Sequence, residues 1–565
     1  MKKCLLKIRR EIRKIKNGKR NSNGMDKVMI ILSKTHSSKI HGRSLHDQLL
    51  LLYIKMNLPQ VKVKDVQQID TARFTRFIQN QMSALPHLNN PKQLAIALAS
   101  KYIKLKDQPK LTQSVILGKD VRSNDQNKVV PLPTLLKNNY IYFLGTGNNH
   151  QVVQRVLSKR NEWISTNNKN DSLINFRWQQ TQKGYQYDRL LQSNKIKQAV
   201  NHFEFHSEIS QKSNLFRNLQ QYCEENQLDI LSFVPLTFVL DFTTEKADIW
   251  LLQFLQYYEN NAPQSIKLHD SQNKFYIIRR QLNTYMQITD KIIQINKSKI
   301  PSTFYGHEYL WILKPTQYNR GRGIHVIKDL DQMTHLLDQY ISGKQQMKDG
   351  QIIKSKQFVI QKYLEKPLLI NNRKFDIRVW GLLNQDLEFF FFEQGYIRMA
   401  SEEYTTKNVL NQYVHLTNNA IQKYSPNYGK LEDGNQLSFD QAATYFKNKG
   451  DFYKQIVENI KQISLKAFQS VRKKINVLGR RYCFEIFGLD FMIDDDFKVW
   501  LIEINSNPCL EESSPLLQKL IPRMLDDAFS LTLDQIFPIT KKQIVFSVPN
   551  YSDNHNMWQK LGKLQ

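Results

Sequence analysis

Three oxygen-bearing side chains near the C-terminus fall at a spacing that brings them together. Residues Phe487 to Ile493 alternate and read as a strand, Asp494 to Phe497 as a turn, and Lys498 to Asn505 as the returning strand. A period of two puts Glu503 and Asn505 on one face. A loop at 495–498 sets Asp490 opposite Glu503, and cross-strand neighbours lie ~5 Å apart. Two carboxylates that close repel unless a cation separates them. Asp490, Glu503 and Asn505 supply hard oxygen donors of the kind Mg²⁺ takes. A general acid/base pair is the competing chemistry, and a solvent-facing hairpin the reading without chemistry. The apolar flanks favour burial.

Further upstream, a strand from Trp311 delivers Lys314, and Pro315 ends it. The loop Asn319-Arg320-Gly321-Arg322-Gly323 follows, and Ile324 to Ile327 resumes as a strand. Exposed N–H groups, two arginines and a preceding lysine can wrap a polyphosphate. The P-loop order is missing, and a surface hairpin with basic tips would look similar. In Arg373 to Trp380 the period of two lines Lys374, Asp376 and Arg378 along one face and Phe375 and Ile377 along the other. That face is a pre-neutralised anion site or an exposed salt-bridged strand. Phe358 to Leu364 reads as another strand, with Glu365 just beyond it. Arg398 and the run His415 to Ala420 add Thr417 and Asn418, which are ligand candidates or ordinary turn and cap residues.

These residues need an α/β scaffold. Tyr140 onward reads as strand, glycine turn (Gly145-Thr146-Gly147-Asn148-Asn149) and helix from about Gln151 to Lys159. The GxGxxG spacing is absent, so a tight turn is expected there rather than a dinucleotide site. Strands and helices then alternate to the end, predicting mixed α/β architecture. The chain has 565 residues, room for three or four domains of ~150 residues. Residues 1–25 hold ten Lys/Arg and one acid, a basic amphipathic leader. Residues 45–105 read as helices, with apolar spacing of three and four at 46–56 and 71–83. Residues 106–137 read as a linker. Four scattered cysteines exclude a disulfide scaffold or a zinc-finger framework. No run approaches ~18 apolar residues, so no membrane span is expected. The net charge of +30 asks for an acidic partner, unless it only reflects lysine-rich surfaces.

Taken in order, KPTQYNRGRGI, QKYLEKPLLI, RKFDIR, GYIR, HLTNNAIQK, FGLDFMIDD and KVWLIEINSNP resemble the tubulin tyrosine ligase-like family. The match covers roughly 138–540, with weaker landmarks at Asn201-His202-Phe203, Lys212 and Phe233 to Phe238. The resemblance implies an ATP-grasp-like core behind a basic helical extension (1–137). It implies an N-terminal α/β domain (138–240), a central domain (241–375), a C-terminal domain (376–545) and a tail (546–565). Lys212, Lys314, Lys374 and the loop Arg320 to Gly323 would meet ATP, and Gln361, Lys362, Tyr363 and Leu364 its adenine. Asp376, Arg378, Arg398, Thr417 and Asn418 would face the amino-acid end. Asp490, Glu503 and Asn505 would hold two Mg²⁺.

The implied chemistry is amide formation on a protein glutamate through an acyl phosphate. Arg320 before the GRG and the RKFDIR, GYIR and EINSNP segments look like the glycylase branches, so glycine is the expected co-substrate. Glutamate, as in a polyglutamylase, is the alternative. A catalytically inactive microtubule-binding scaffold is the reading from another class, and the intact Asp490, Glu503 and Asn505 set speaks against it. The expected partners are the acidic tails of tubulin or microtubules, which the basic charge would attract. No nucleic-acid reader motif is present, so no nucleic acid is expected. A monomer at the cytoplasmic cytoskeleton, in the cilium or axoneme, completes the expectation.

Overall fold

A computed structural model of the chain describes residues 140–191, 197–243, most of 251–263, 308–318, 321–346, 350–448, 450–540 and 546–564. It also describes two-residue strands at Lys39–Ile40 and Arg43–Ser44, which pair antiparallel. The chain divides into two units, Met1–Pro131 and Leu132–Gln565. The leader at 1–25, the helices expected at 46–56 and 71–83, the linker at 106–137, and Arg320 lie outside the described residues. Every candidate site residue falls within the sequence span of the second unit.

Among the described residues, three sheets of four or more strands carry this second unit, beside a two-stranded pair at Gln345–Gln346 and Ile352–Ile353. The first is parallel: β1 (Tyr140–Leu144), β2 (Trp163–Ser165), β3 (Ile174–Trp178) and β4 (Ala199–Val200) stand in the order β2-β1-β3-β4. The helix α1 (His150–Leu157) follows the turn after β1 and buries Val152, Val153, Val156 and Leu157. That three-and-four spacing is one face of a helix, in the place where the sequence led to a helix from about Gln151 to Lys159. Helix α2 (Lys212–Glu225) leads to the second sheet, which is antiparallel. It consists of β5 (Thr237–Asp241), β6 (Trp311–Pro315), β7 (His325–Ile327) and β8 (Gln357–Lys362), ordered β5-β8-β6-β7. Helix α3 (Leu330–Ser342) buries Met333, Leu337 and Tyr340 in the same core as Trp311 and Phe358.

The third sheet has eight antiparallel strands built around one long strand. They are β9 (Leu369–Ile370), β10 (Arg373–Leu383), β11 (Glu388–Phe392), β12 (Tyr396–Glu403), β13 (Gln436–Ser438), β14 (Glu485–Ile493), β15 (Val499–Ser506) and β16 (Trp558–Lys563). All eleven residues of β10 are buried. Its odd residues Phe375, Ile377 and Val379 pack in one core with α2 and with α4 (Glu458–Ser470). Trp380 and Leu382 pack in another with α1 and α5 (Pro515–Leu531). The run Phe389 to Phe392 divides the same way, two rings to each core. A continuous apolar run is what a strand covered on both faces requires.

Two features differ from the sequence reading. Residues 546–564 are no loose tail, because Trp558–Lys563 pairs with β11 and closes the sheet edge. The boundaries drawn at 240/241 and 375/376 fall inside β5 and β10. Among the described residues, no helix is long and apolar enough to cross a membrane.

Candidate active site

The hairpin β14–β15 pairs Asp490 with Glu503, as period two predicts, but by a different route. The loop is five residues long, since Ile493 pairs with Val499. A bulge at Ile502 then restores the register, because Phe491 pairs with Leu501 and Asp490 with Glu503. A four-residue loop without a bulge arrives at the same pair. Asn505 Nδ2 donates to Glu503 Oε1 at 3.0 Å and to Asp490 Oδ2 at 3.3 Å. Asn505 Oδ1 is thus the atom it has to offer a cation. Two carboxylates and an amide oxygen form an all-oxygen set that fits a hard divalent ion.

The cations around this set come from four other elements. Lys212, the first residue of α2, lies 3.1 Å from Glu503 Oε2 and donates to Tyr318 O at 3.0 Å. Burial pushes the Glu503 carboxyl up, but Lys212, Asn505 and Lys314 outweigh it and hold it well below the usual carboxylate range. Asp490 faces two arginines: Arg378 Nη2 lies 3.1 Å and Arg398 Nη2 2.9 Å from Asp490 Oδ2. Its burial nevertheless raises its pKa.

These pairs follow from register. Asp376 stands opposite Arg398 on β12, and Arg378 opposite Asp490 on β14. Arg398 Nη2 donates to Asp376 Oδ2 at 2.8 Å, and the Thr417 hydroxyl donates to the same oxygen. On the Lys374, Asp376 and Arg378 face, Asp376 and Arg378 are therefore neutralised across strands and not along β10. The exposed salt-bridged strand is ruled out, since all three residues are buried.

Two lysines differ from the arginines. Lys314 Nζ donates to Gln361 Oε1 at 2.8 Å, and Gln361 Nε2 in turn donates to Thr237 Oγ1 at 2.9 Å. Lys374 Nζ donates to Tyr363 Oη and to His415 O, each at 2.9 Å. Among the described residues, neither lysine has a carboxylate within ion-pair distance. Burial pulls Lys314 down to about 8 and Lys374 to about 7. Buried ammonium groups lacking a counter-ion fit a polyphosphate.

Lys314, Gln361, Tyr363, Leu364, Lys374 and Asp376 line one cavity with Arg398, Thr417, Asn418, Asp490 and Glu503. Its apolar wall is Ile312, Met492, Ile502 and Leu364. A second cavity shares Arg398, Asn418 and Glu503 with the first and adds Arg378 and Asn505. Lys362 borders the first cavity, but its ammonium turns away, 2.7 Å from both Leu310 O and Glu365 Oε1. Its side chain belongs to the middle sheet's core, over the Tyr309 and Trp311 rings.

The glycine loop reaches the same place. Gly321 has φ +73°, and a Cβ there would come within 2.5 Å of Ile421 Cδ1 and 3.4 Å of Asn418 Oδ1. Only glycine lets the loop lie this close to the 418–421 segment. Gly323 O accepts from the Tyr340 hydroxyl at 3.1 Å, and Arg322 donates to Gln351 at the exposed side, 3.2 Å away.

Sequence reasoning passed over His415 and, Leu364 apart, the apolar wall. His415 Nε2 lies 2.9 Å from Asn408 O, a pure acceptor, so the ring must donate there. Its Nδ1 therefore accepts from Tyr363 Oη at 2.8 Å, and burial holds the ring neutral with a pKa near 4. No local pattern announces this chain. The wall did leave a signal: Ile312 and Met492 stand two residues from Lys314 and Asp490, on the same strand faces.

Comparison with known proteins agrees. A model of the "Tubulin-tyrosine ligase family" matches residues 249–544, just over half of the 565. Tubulin glycylase 3B of Tetrahymena thermophila is 35% identical over 284 residues, 49% of this chain and 22% of its own length. Tubulin monoglycylase TTLL3 of Homo sapiens is 31% identical over 291 residues, 48% of this chain and 36% of its own. Protein polyglycylase TTLL10 of Rattus norvegicus is 29% identical over 286 residues, 46% and 41%. The chain thus spans well under half the length of these relatives. The mixed α/β core is in keeping with an ATP-grasp-like ligase. Motif order and a family match over more than half its length agree: the chain belongs to the tubulin-tyrosine ligase family.

Proposed function

We propose that this chain is an ATP-dependent ligase that joins glycine, through an amide bond, to glutamate carboxylates of tubulin tails or of other proteins. One observation carries the reading. Lys314 and Lys374, buried without carboxylate partners among the described residues, share a cavity with Asp490 and Glu503, and that cavity continues into one lined by Arg378 and Arg398. Polyphosphate fits the first and carboxylate substrates the second. The relatives' names, tubulin glycylase and polyglycylase, favour glycine as the amino acid.

The roles follow from charge. Lys314, Lys374 and Lys212 hold the phosphates, and the Gly321 to Gly323 loop covers them. Tyr363, Leu364 and the backbone at Gln361 and Lys362 border the base. Asp490, Glu503 and Asn505 hold Mg²⁺, which offsets phosphate charge as a Lewis acid. An acceptor carboxylate attacks the γ-phosphorus of ATP, giving an acyl phosphate and ADP. The amine of glycine attacks the acyl carbon, phosphate leaves, and the amine loses a proton. Arg378 and Arg398 lower the cost of bringing anions together. Asp376 and Thr417 fix the direction of Arg398, and Asn418 borders both cavities. The charge of +30 steers the protein to acidic tubulin tails on the cytoskeleton, in cilia among other places.

The test is incubation of the full chain with microtubules, Mg-ATP and labelled glycine or labelled glutamate. Glycine incorporation, lost in Asp490→Asn, is the expected result. Glutamate incorporation would make the protein a glutamylase, and incorporation of neither would remove microtubules as the acceptor.

A further inference from the structure

The glycine turn after β1 borders the second cavity but is given no role in the chemistry above, and its backbone is strained. Gly147, Asn148 and Asn149 are consecutive residues with φ of +100°, +47° and +51°. Left-handed backbone costs free energy for any residue but glycine, though least for asparagine. Gly147 is also approached closely, since a Cβ there would come within 2.5 Å of Gln180 Nε2. Asparagine before a helix ordinarily caps it. Asn149 precedes α1 but makes no side-chain cap. Capping therefore does not explain the turn.

What the turn does is aim one carboxamide. Asn148 Nδ2 donates to Asn507 Oδ1 at 2.6 Å and to Pro508 O at 2.9 Å, while Asn148 Oδ1 accepts from Leu510 N at 3.3 Å. The segment it grips is the exit of β15. Asn507, itself left-handed at φ +51°, lies two residues beyond Asn505 and four beyond Glu503. Pro508 seats against the neighbouring strand: a Cβ on Gly488 would meet Pro508 Cβ at 3.0 Å and Arg378 Nη1 at 3.1 Å. The parallel sheet thus holds the end of β15 at its junction with Arg378.

We propose that Asn148 is a positioning residue for the metal-binding end of β15. Through Asn507 and Pro508 it fixes how Asn505 presents its oxygen beside Asp490 and Glu503. This rests on those three residues holding a divalent ion. The strained turn is kept because only that backbone brings the Asn148 amide to the strand exit.

The test is a titration of Mn²⁺ into the full chain with a non-hydrolysable ATP analogue present, free Mn²⁺ being followed by electron paramagnetic resonance. Asn148→Gly keeps the left-handed backbone and removes the carboxamide. It is expected to weaken nucleotide-dependent Mn²⁺ binding about tenfold, as loss of a group that orients a metal ligand does. Binding of the analogue without metal stays as in wild type. Asn149→Gly makes the same backbone change without touching the clamp, and leaves Mn²⁺ affinity unaltered. Asn507→Gly removes the acceptor from the other side and reproduces the loss, so it carries the test should Asn148→Gly fail to fold. Wild-type affinity in both Asn148→Gly and Asn507→Gly would overturn the proposal. Absence of nucleotide-dependent Mn²⁺ binding in the wild type would overturn the metal assignment and this role with it.

Discussion

One hairpin carries two acidic groups with opposite fates. Asp494, Asp495 and Asp496 at its tip bring their carboxylates within 4.8 Å of one another. Asp490, Glu503 and Asn505 lie in the strands. Counting charge alone, the tip looks like the better cation site. Hydrogen bonding says otherwise. Asp494 Oδ1 accepts from the N–H groups of Asp496 and Lys498, and its Oδ2 from Trp500 Nε1 at 2.8 Å. It ties the turn together, while Asp495 and Asp496 are exposed. The strand set meets Lys212, Arg378 and Arg398 and borders two adjoining cavities where another ligand can enter. An acidic cluster becomes a candidate ion site through what surrounds it.

The largest effect expected is from the strand set. Glu503→Gln should lower ATP-dependent turnover by about a hundredfold or more, because charge at the transferring phosphoryl loses its metal support. Asp495→Asn should leave turnover unchanged under the same assay. Equal losses would erase the distinction between the two groups.

Asp494→Ala should act on stability. It removes three accepted hydrogen bonds from a fully buried carboxylate, so about 2 kcal/mol should be lost in urea unfolding. An unchanged midpoint would contradict its role as a turn tie.

Protonation separates the regions as well. Burial brings Lys374 to about 7, so above that pH it is mostly neutral in the free protein. A bound polyphosphate favours the charged form, so binding takes up a proton and weakens as pH rises from 7 to 9. Calorimetry of nucleotide binding at pH 8, in buffers of different ionisation enthalpy, should register uptake of about one proton or more, most of it from Lys374 and the rest from Lys314, which burial holds at about 8. Lys374→Met should cut it to the smaller Lys314 share, and Asp496→Asn should not change it. No uptake in the wild type would contradict the placement of Lys374 at the phosphates.

The smallest effect is at the exposed tip, where Asp496→Asn should shift stability by no more than about 0.5 kcal/mol in the same urea experiment.

Much of this site is legible in local pattern. Period two put Glu503 and Asn505 on one face and opposed them to Asp490, although the loop is one residue longer and the bulge at Ile502 compensates. The same period separated Lys374, Asp376 and Arg378 from Phe375 and Ile377. What local pattern does not contain is which strands become neighbours. The pairing of Asp376 with Arg398 and of Arg378 with Asp490 depends on registers between strands far apart in sequence. The same limit hides the chain from Lys374 through Tyr363 to His415, and the use of residues 558–563 as a sheet edge. Lys362 shows a further limit. Strand alternation turns its ammonium from the cavity that Gln361 faces, and only Glu365, three residues on, hints at its partner.

The central claim is that the strand carboxylates serve a ligase reaction needing two further substrates. Its most direct test is ADP release by the full chain with Mg-ATP, glycine and microtubules, omitting glycine or microtubules in turn. Full ADP release is expected only when both are present, with its loss in Asp490→Asn and its retention in Asp495→Asn. ADP release that persists in Asp490→Asn, or that ignores both omissions, would contradict the claim.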